Sequence, residues 1–180
     1  ANASPPDQQL DRGRWNDFGI GLLRQGDLQG ARRAFTRVTD IDPEYADGWV
    51  NRARVALKEG LLEEAAQALE QSLAIDSELA KSHYFLGVVL KEQGKYDRAL
   101  EHMRRTAEQY PRDRVVRNGI GRILFLQRQF ADAVEELQHV ISIDPEDLMA
   151  RYNLMLCYRG LGENDKADAE RRLYERFKAD

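Results

Sequence analysis

Residues 80–111 read AKSHYFLGVVLKEQGKYDRALEHMRRTAEQYP. Tyr84, Leu86, Gly87, Val89 and Leu90 recur at helical spacing, so Ala80 to Glu92 predicts a helix. Gly94 ends it, because glycine takes the left-handed conformation of a helix C-terminus at little cost. Asp97 then helps to start a second helix over Arg98 to Gln109, with Leu100, Met103 and Ala107 inward. Pro111 stops that helix, since it has no N–H and its ring clashes with the preceding turn. The stretch reads as a helical hairpin closed by a proline.

The pattern extends in both directions. Pro145 lies 34 residues after Pro111 and Pro43 lies 68 before it, with Ser77 on the step between. Gly26, Gly60 and Gly94 keep the same step; Arg128 interrupts the series and Gly162 resumes it. Ala31, Ala65, Ala99, Ala133 and Ala167 fill one phase without exception. A second small phase runs Gly19, Ala53, Gly87, Gly121 and then Met155; a large apolar phase runs Phe35, Leu69, Met103, Leu137 and then Arg171. Trp15 and Trp49 share a further phase. Unrelated residue classes in one register of this length mark a stacked repeat protein. One hairpin cannot bury its apolar stripe alone, so neighbours must stack.

The units fall at 12–45, 46–79, 80–113, 114–147 and 148–180, after a polar leader, 1–11, read as disordered because it carries Pro5 and Pro6. In Asp42-Pro43-Glu44 and Asp144-Pro145-Glu146 the Asp is expected as an N-cap and the Pro as the first helical residue of the next unit.

Composition narrows the function. The 180 residues carry 27 Lys plus Arg against 31 Asp plus Glu, a net charge of −4, which argues against a general nucleic-acid binder. Hydrophobic residues at 42% and charged residues at 32% suit a chain with a core and a charged surface. A single cysteine, Cys157, excludes an intrachain disulfide framework and a Cys-rich zinc site. There is no apolar stretch for a signal or membrane span, and the compartment stays open between cytoplasm and periplasm.

Trp15, Phe18-Gly19, Leu22, Ala31, Phe35 and Pro43 of the first unit resemble the tetratricopeptide repeat family, whose motif pairs Trp, Leu-Gly and Tyr on one helix with Ala, Phe, Ala and Pro on the next. The resemblance covers nearly the whole chain. It implies an all-α fold: a right-handed superhelical solenoid of antiparallel helix pairs, acting as a non-enzymatic protein-protein interaction scaffold without a cofactor. The stretches Arg14 to Gly21 and Tyr152 to Gly160 also look like repeat arrays in larger bacterial proteins, some beside multihaem cytochrome c modules. That resemblance implies the alternative of a haem-free domain in a respiratory or electron-transfer assembly. The pentatricopeptide RNA-binding family is set aside, because its period is 35 and its groove is typically basic.

In the family, first helices line a concave surface through the second, fifth, ninth, twelfth and thirteenth residues of each unit. Here these positions hold seven basic residues, Arg24, Arg54, Lys58, Lys81, Lys91, Arg122 and Arg159, against Asp47 and Glu92. The face sums to +5 in a chain of −4, a segregation that steers an acidic partner. Tyr84, Val88, Phe125, Tyr152, Leu156 and Val50 add apolar contacts, and Asn16 and Asn118 add amides. Leu23 also falls on this face. The expected ligand is an extended or helical peptide with acidic and apolar residues. The two-carboxylate clamp of the family's chaperone-binding members is rejected: Asn51 and Lys81 match, but Asn16, Ile20 and Phe85 replace Lys, Asn and Arg.

Other candidates have plainer readings. His83, His102 and His139 include no i, i+4 pair, so no helical metal site is expected. His83 stands on the Trp phase and reads as packing. Cys157 reads as a buried thiol. Glu63-Glu64 and Glu135-Glu136 complement helix dipoles. The run Arg104, Arg105, Arg112, Arg114 and Arg117 reads as a solvated face. Trp15, Phe18 and Leu22 of the first unit are expected to pack on an N-terminal part outside this sequence or on another copy, so self-association through the N-terminal repeat is a further expectation.

Overall fold

The computed structural model describes residues 6–179, with side chains from Leu10 onward. Among the described residues there are ten α-helices and no strand: α1 Pro6–Gln25, α2 Leu28–Ile41, α3 Ala46–Lys58, α4 Leu62–Ile75, α5 Ala80–Glu92, α6 Tyr96–Gln109, α7 Arg114–Leu126, α8 Phe130–Ile143, α9 Leu148–Gly160 and α10 Asn164–Ala179. Within the units described below they pair in sequence, α1 with α2, α3 with α4, α7 with α8 and α9 with α10. First helices α3, α5, α7 and α9 start 34 residues apart, and so do all five second helices.

Two compact units divide the chain, the first ending at Gln93 and the second beginning at Gly94. In the first, α1 packs on α2 and α3 on α4, while α2 meets α3 and α4 meets α5. Leu23, Ala31, Phe35, Val38 and Val55 form a buried cluster, with Ile20, Leu22, Leu28 and Tyr45 packed against it. In the second unit, α7 pairs with α8 and α9 with α10; Met103, Ile120, Ile123, Leu124, Leu137, Val140 and Leu154 are buried there.

The repeated phases have physical reasons. Ala31, Ala65, Ala99, Ala133 and Ala167 are all buried. A Cβ on Gly19 would come within 2.6 Å of the Phe35 ring, and one on Gly121 within 2.7 Å of Leu137. A small residue here lets the large residue of the paired helix approach the backbone. Gly26, Gly60, Gly94 and Gly162 adopt positive φ at the end of each first helix, and Arg128 adopts the same conformation, φ 62°.

Three details depart from the sequence reading. α1 already begins at Pro6, so residues 6–11 of the leader are helical; residues 1–5 lie outside the described residues. A proline is well placed in the first helical turn, where its missing N–H costs nothing. Asp42 and Asp144 are C-caps of α2 and α8, not N-caps. Their carboxylates accept the N–H of Glu44 and Glu146 across the intervening proline, at 3.2 and 3.0 Å, so each triplet is a side-chain-closed turn. The N-cap with a side-chain bond is three residues later in α9, where Asp147 accepts from Ala150 at 2.9 Å. Finally, α6 starts at Tyr96, which leaves Asp97 inside the first turn instead of before it.

Candidate functional site

In the first unit the face formed by α1, α3 and α5 holds a cleft of about 320 Å³. Asn16 and Ile20 come from α1; Asp47, Val50, Asn51 and Arg54 from α3, with Tyr45 just before it; Lys81 and Phe85 from α5. Asn51 donates to Asn16 Oδ1 at 2.8 Å, and Arg54 Nη1 donates to Asn51 Oδ1 at 3.0 Å. A guanidinium thus anchors a chain of amides across two helices. The same guanidinium lies over the Phe85 ring, 5.6 Å from its centroid. Burial, and then the nearby charge of Arg24, hold its pKa below the ordinary arginine value.

The cations of this face divide into two sets. Lys81 donates to Asp47 at 2.8 Å, and Lys91 pairs with Glu92 at 2.9 Å. Arg24, Arg54 and Lys58 have no carboxylate partner among the described residues. Val50 is 1% exposed and forms floor, not contact surface; Leu23 is likewise buried in the core. Tyr84 and Val88 are half-buried, with the Tyr84 ring edge-on to Phe85 at 5.0 Å. Phe85, Tyr45 and Asn51 line the cleft although they lie off the phases expected for it. The sixth position of each unit, one beyond the fifth, was the available signal for Asn51 and Phe85. The two residues that match the chaperone clamp, Asn51 and Lys81, are both engaged inside this face.

In the second unit α7 and α9 pack side by side. Asn118 is 8% exposed, and its Nδ2 donates to Asp147 at 3.1 Å. Asp147 also pairs with Arg114 at 2.9 Å. Arg122 is half-buried, with its guanidinium 5.0 Å from the Phe125 centroid. Tyr152 is exposed and its ring meets Tyr174 at 5.9 Å; Leu156 is half-buried and Arg159 exposed. Val115 and Met149 are 62% and 60% exposed on the same helices. Cys157 is fully buried, and desolvation pushes its thiol up to about 11 despite the opposing charge of Arg122. An inert packing thiol is the result.

The remaining candidates resolve as structure. His83 is buried and bonds the Ser77 carbonyl at 2.9 Å. Glu63 accepts from Gln93 at 2.8 Å, and Glu64 with Glu59 binds Arg32. In the arginine run, Arg117 pairs with Glu136, Arg114 with Asp144 and Asp147, and Arg105 with Glu101. Among the described residues no group of three or more His, Cys, Asp or Glu is placed to hold a metal ion. Among them, too, no helix is long and apolar enough to cross a membrane.

The tetratricopeptide repeat signature matches residues 16–80, and a second form of it matches 56–123 and 90–147. The chain belongs to the tetratricopeptide repeat family. Tetratricopeptide repeats generally serve as protein-protein interaction scaffolds and are typically non-catalytic. Among curated proteins, the cytochrome c-type biogenesis protein CycH of Rhizobium meliloti is 33% identical over 107 residues, 57% of this chain and 28% of that protein. The chain spans 10% to 28% of the length of four of the curated relatives it matches, CycH among them. Among solved structures, Pseudomonas aeruginosa PilF superposes with a TM-score of 0.86 at 21% identity, covering 95% of this chain and 78% of that one. YrrB, described as a tetratricopeptide repeat protein with an unusual peptide-binding site, superposes with a TM-score of 0.72 at 23% identity, covering 92% and 86%. These likenesses establish the repeat fold.

Proposed function

We propose that this tetratricopeptide repeat chain is a scaffold that holds a partner protein through an extended or helical segment bearing acidic and apolar residues, seated on the first-helix faces. The observation that carries the reading is Arg54. It lines the cleft of the first unit, lies over the Phe85 ring and in the field of Arg24, and has no carboxylate partner among the described residues. A half-buried cation in that state favours an incoming carboxylate, and Lys58 and Arg24 extend the positive field. Lys81, already paired with Asp47, is a weaker contributor. Val88, Tyr84 and Phe85 supply the apolar side. The test is fluorescence anisotropy with a labelled acidic-apolar peptide. Arg54→Glu with Lys58→Glu abolishes binding on this reading; unchanged affinity sinks it.

A second reading places the chain as the repeat segment of a longer protein of cytochrome c-type biogenesis or electron transfer, favoured by the 33% identity to CycH. It predicts loss of c-type haem from membranes of a deletion strain, and intact haem content counts against it. Self-association is favoured by Trp15 and Phe18, 39% and 56% exposed on α1 with their rings edge-on at 6.0 Å. Leu22 is packed on the core, so Phe18→Glu is the cleaner variant for light scattering. An unchanged mass in that variant, equal to the monomer in the parent, removes this reading.

A further inference from the structure

Phe18 is 56% exposed on α1, yet the residues at its phase in the last three units, Leu86, Ile120 and Leu154, are buried. Arg52 holds the same phase in α3 and reaches back to Thr39 of α2 at 3.2 Å, so the phase faces the second helix of the preceding unit. Trp15 is exposed, whereas Trp49, His83, Arg117 and Arg151 at its phase each bond the turn before their helix. This face of α1 is left open to solvent.

Size and charge decide what covers it. One candidate is head-to-tail stacking, with α10 of one copy laid on α1 of the next. The junction phase of the other first helices holds Gly48, Ser82, Val116 and Ala150, all buried, and a Cβ on Gly48 would stand 3.0 Å from Val38. At that phase α1 carries Arg14, and at the phase of Val38 α10 carries Tyr174. Two long side chains do not fit a gap that elsewhere takes nothing larger than Val116 against Thr106.

The stripe on α1 complements itself instead. Asp11, Arg14, Trp15 and Phe18 follow i, i+3, i+4 and i+7, so they share one helix face, and all four are exposed. Leu10, also exposed, flanks them. Arg14 and Asp11 are 72% and 63% exposed and stand 3.9 Å apart, a loose contact that leaves both available. When two such stripes run antiparallel, a two-fold axis between Arg14 and Trp15 sets each Trp15 against its mate. It also brings each Arg14 within one helical turn of Asp11 of the second copy. A parallel pairing sets Arg14 on Arg14 and Asp11 on Asp11, which repel.

We infer that two copies of this chain pair through α1, antiparallel about a two-fold axis, with Trp15 and Phe18 at the centre and two Arg14–Asp11 ion pairs beside them. The inference rests on the self-association reading above and gives it a partner, a symmetry and a stoichiometry.

Sedimentation equilibrium across a wide concentration range tests it. The parent follows a monomer–dimer equilibrium with no larger species, and Phe18→Glu shifts it to monomer. By symmetry every substitution acts twice. Arg14→Asp sets acid against acid at two contacts, and Asp11→Arg sets base against base, so each alone weakens the dimer roughly tenfold or more. Mixing the two variants restores dimer near the parental strength, because acid meets base at both contacts of the mixed pair. Native mass spectrometry identifies that heterodimer, and misfolded variants would not regain it. Charge variants that dimerise like the parent, or a mixture that fails to recover, overturn the two-fold pairing and leave self-association standing, provided Phe18→Glu still dissociates the parent species. A parent mass that grows past the dimer marks end-to-end stacking and has the same consequence. A parent that stays monomeric throughout overturns both readings and leaves the face to another occupant.

Discussion

The Arg151 guanidinium donates to the carbonyl oxygen of Pro145, six residues earlier, from Nε at 3.0 Å and from Nη2 at 2.7 Å. The same reach joins Trp49 Nε1 to the Pro43 carbonyl, His83 Nε2 to Ser77 and Arg117 Nε to Pro111. All four pairs share one phase of the repeat. The proline phase offers a turn carbonyl, and the phase six residues on offers a flat N–H donor. Trp, His and Arg have little in common except that donor, which is why they exchange at this position. Arg151 is buried and also holds Glu170 at 2.9 Å. Arg151→Met leaves the carbonyl and the carboxylate unpartnered and costs about 2–4 kcal/mol. Urea denaturation reads it; a loss under about 0.5 kcal/mol would count against the role.

Arg128 takes the left-handed backbone that glycine takes at the four equivalent positions, with φ 62°. A side chain is strained there and glycine is not. Arg128→Gly therefore raises stability by about 0.5–1 kcal/mol, and the thermal midpoint rises with it. The gain is reduced, but not reversed, by the added freedom of the unfolded chain.

Gly19 and Gly121 face a buried ring and a buried branched side chain of the paired helix. Neither Phe35 nor Leu137 has space to retreat. Gly121→Ala, like Gly19→Ala, costs about 1–3 kcal/mol by overpacking. Gly13→Ala, inside α1 where nothing stands within 4 Å of the added carbon, is the control and raises stability by about 0.5–1 kcal/mol through helix propensity alone.

Cys157 titrates near 11 in the folded protein against an ordinary value of 9.0, because burial disfavours the thiolate. Below pH 9 the thiol is neutral in both states and contributes no pH dependence. Between pH 9 and 11 the unfolded chain loses its proton first, so stability falls as pH rises, by about 2 kcal/mol in total. Denaturation midpoints across this range, compared with Cys157→Ala, isolate the contribution. A parallel decline in the two proteins would remove it.

Asp47 holds Lys81 at 2.8 Å on the rim of the first-unit cleft. Asp47→Asn releases that ammonium and removes one opposing charge. Affinity for an acidic-apolar peptide rises about twofold to fivefold at low salt, in keeping with the modest worth of an exposed pair. The gain disappears as added salt screens the face. Anisotropy titrations at two ionic strengths check both parts.

Much of the fold was legible because its determinants are local. Ala31 through Ala167 at one step, the glycines ending each first helix and the large phase of Phe35, Leu69, Met103 and Leu137 identify the same helices that the structure contains. The turn triplets were misread because Asp before Pro is equally suited to capping the next helix or closing the turn over the proline. In the folded chain the Asp42 and Asp144 carboxylates take the Glu44 and Glu146 N–H groups, while Trp49 and Arg151 donate to the Pro43 and Pro145 carbonyls six residues before them.

The candidate site was legible only as a set of phases. A count of charges over those phases gave +5. It did not distinguish Lys81 and Lys91, which are neutralised by Asp47 and Glu92, from Arg54, which is not. Nor did it separate Val50, sunk into the floor, from Tyr152, which faces solvent. The sequence by itself determined the period, the helices and the faces, since these follow from spacing along one chain. Only the tertiary structure decided which cations of these faces are paired with carboxylates. Side chains 34 or 35 residues apart meet across neighbouring helices, and a reach of a few ångströms settles whether a charge is spent or free.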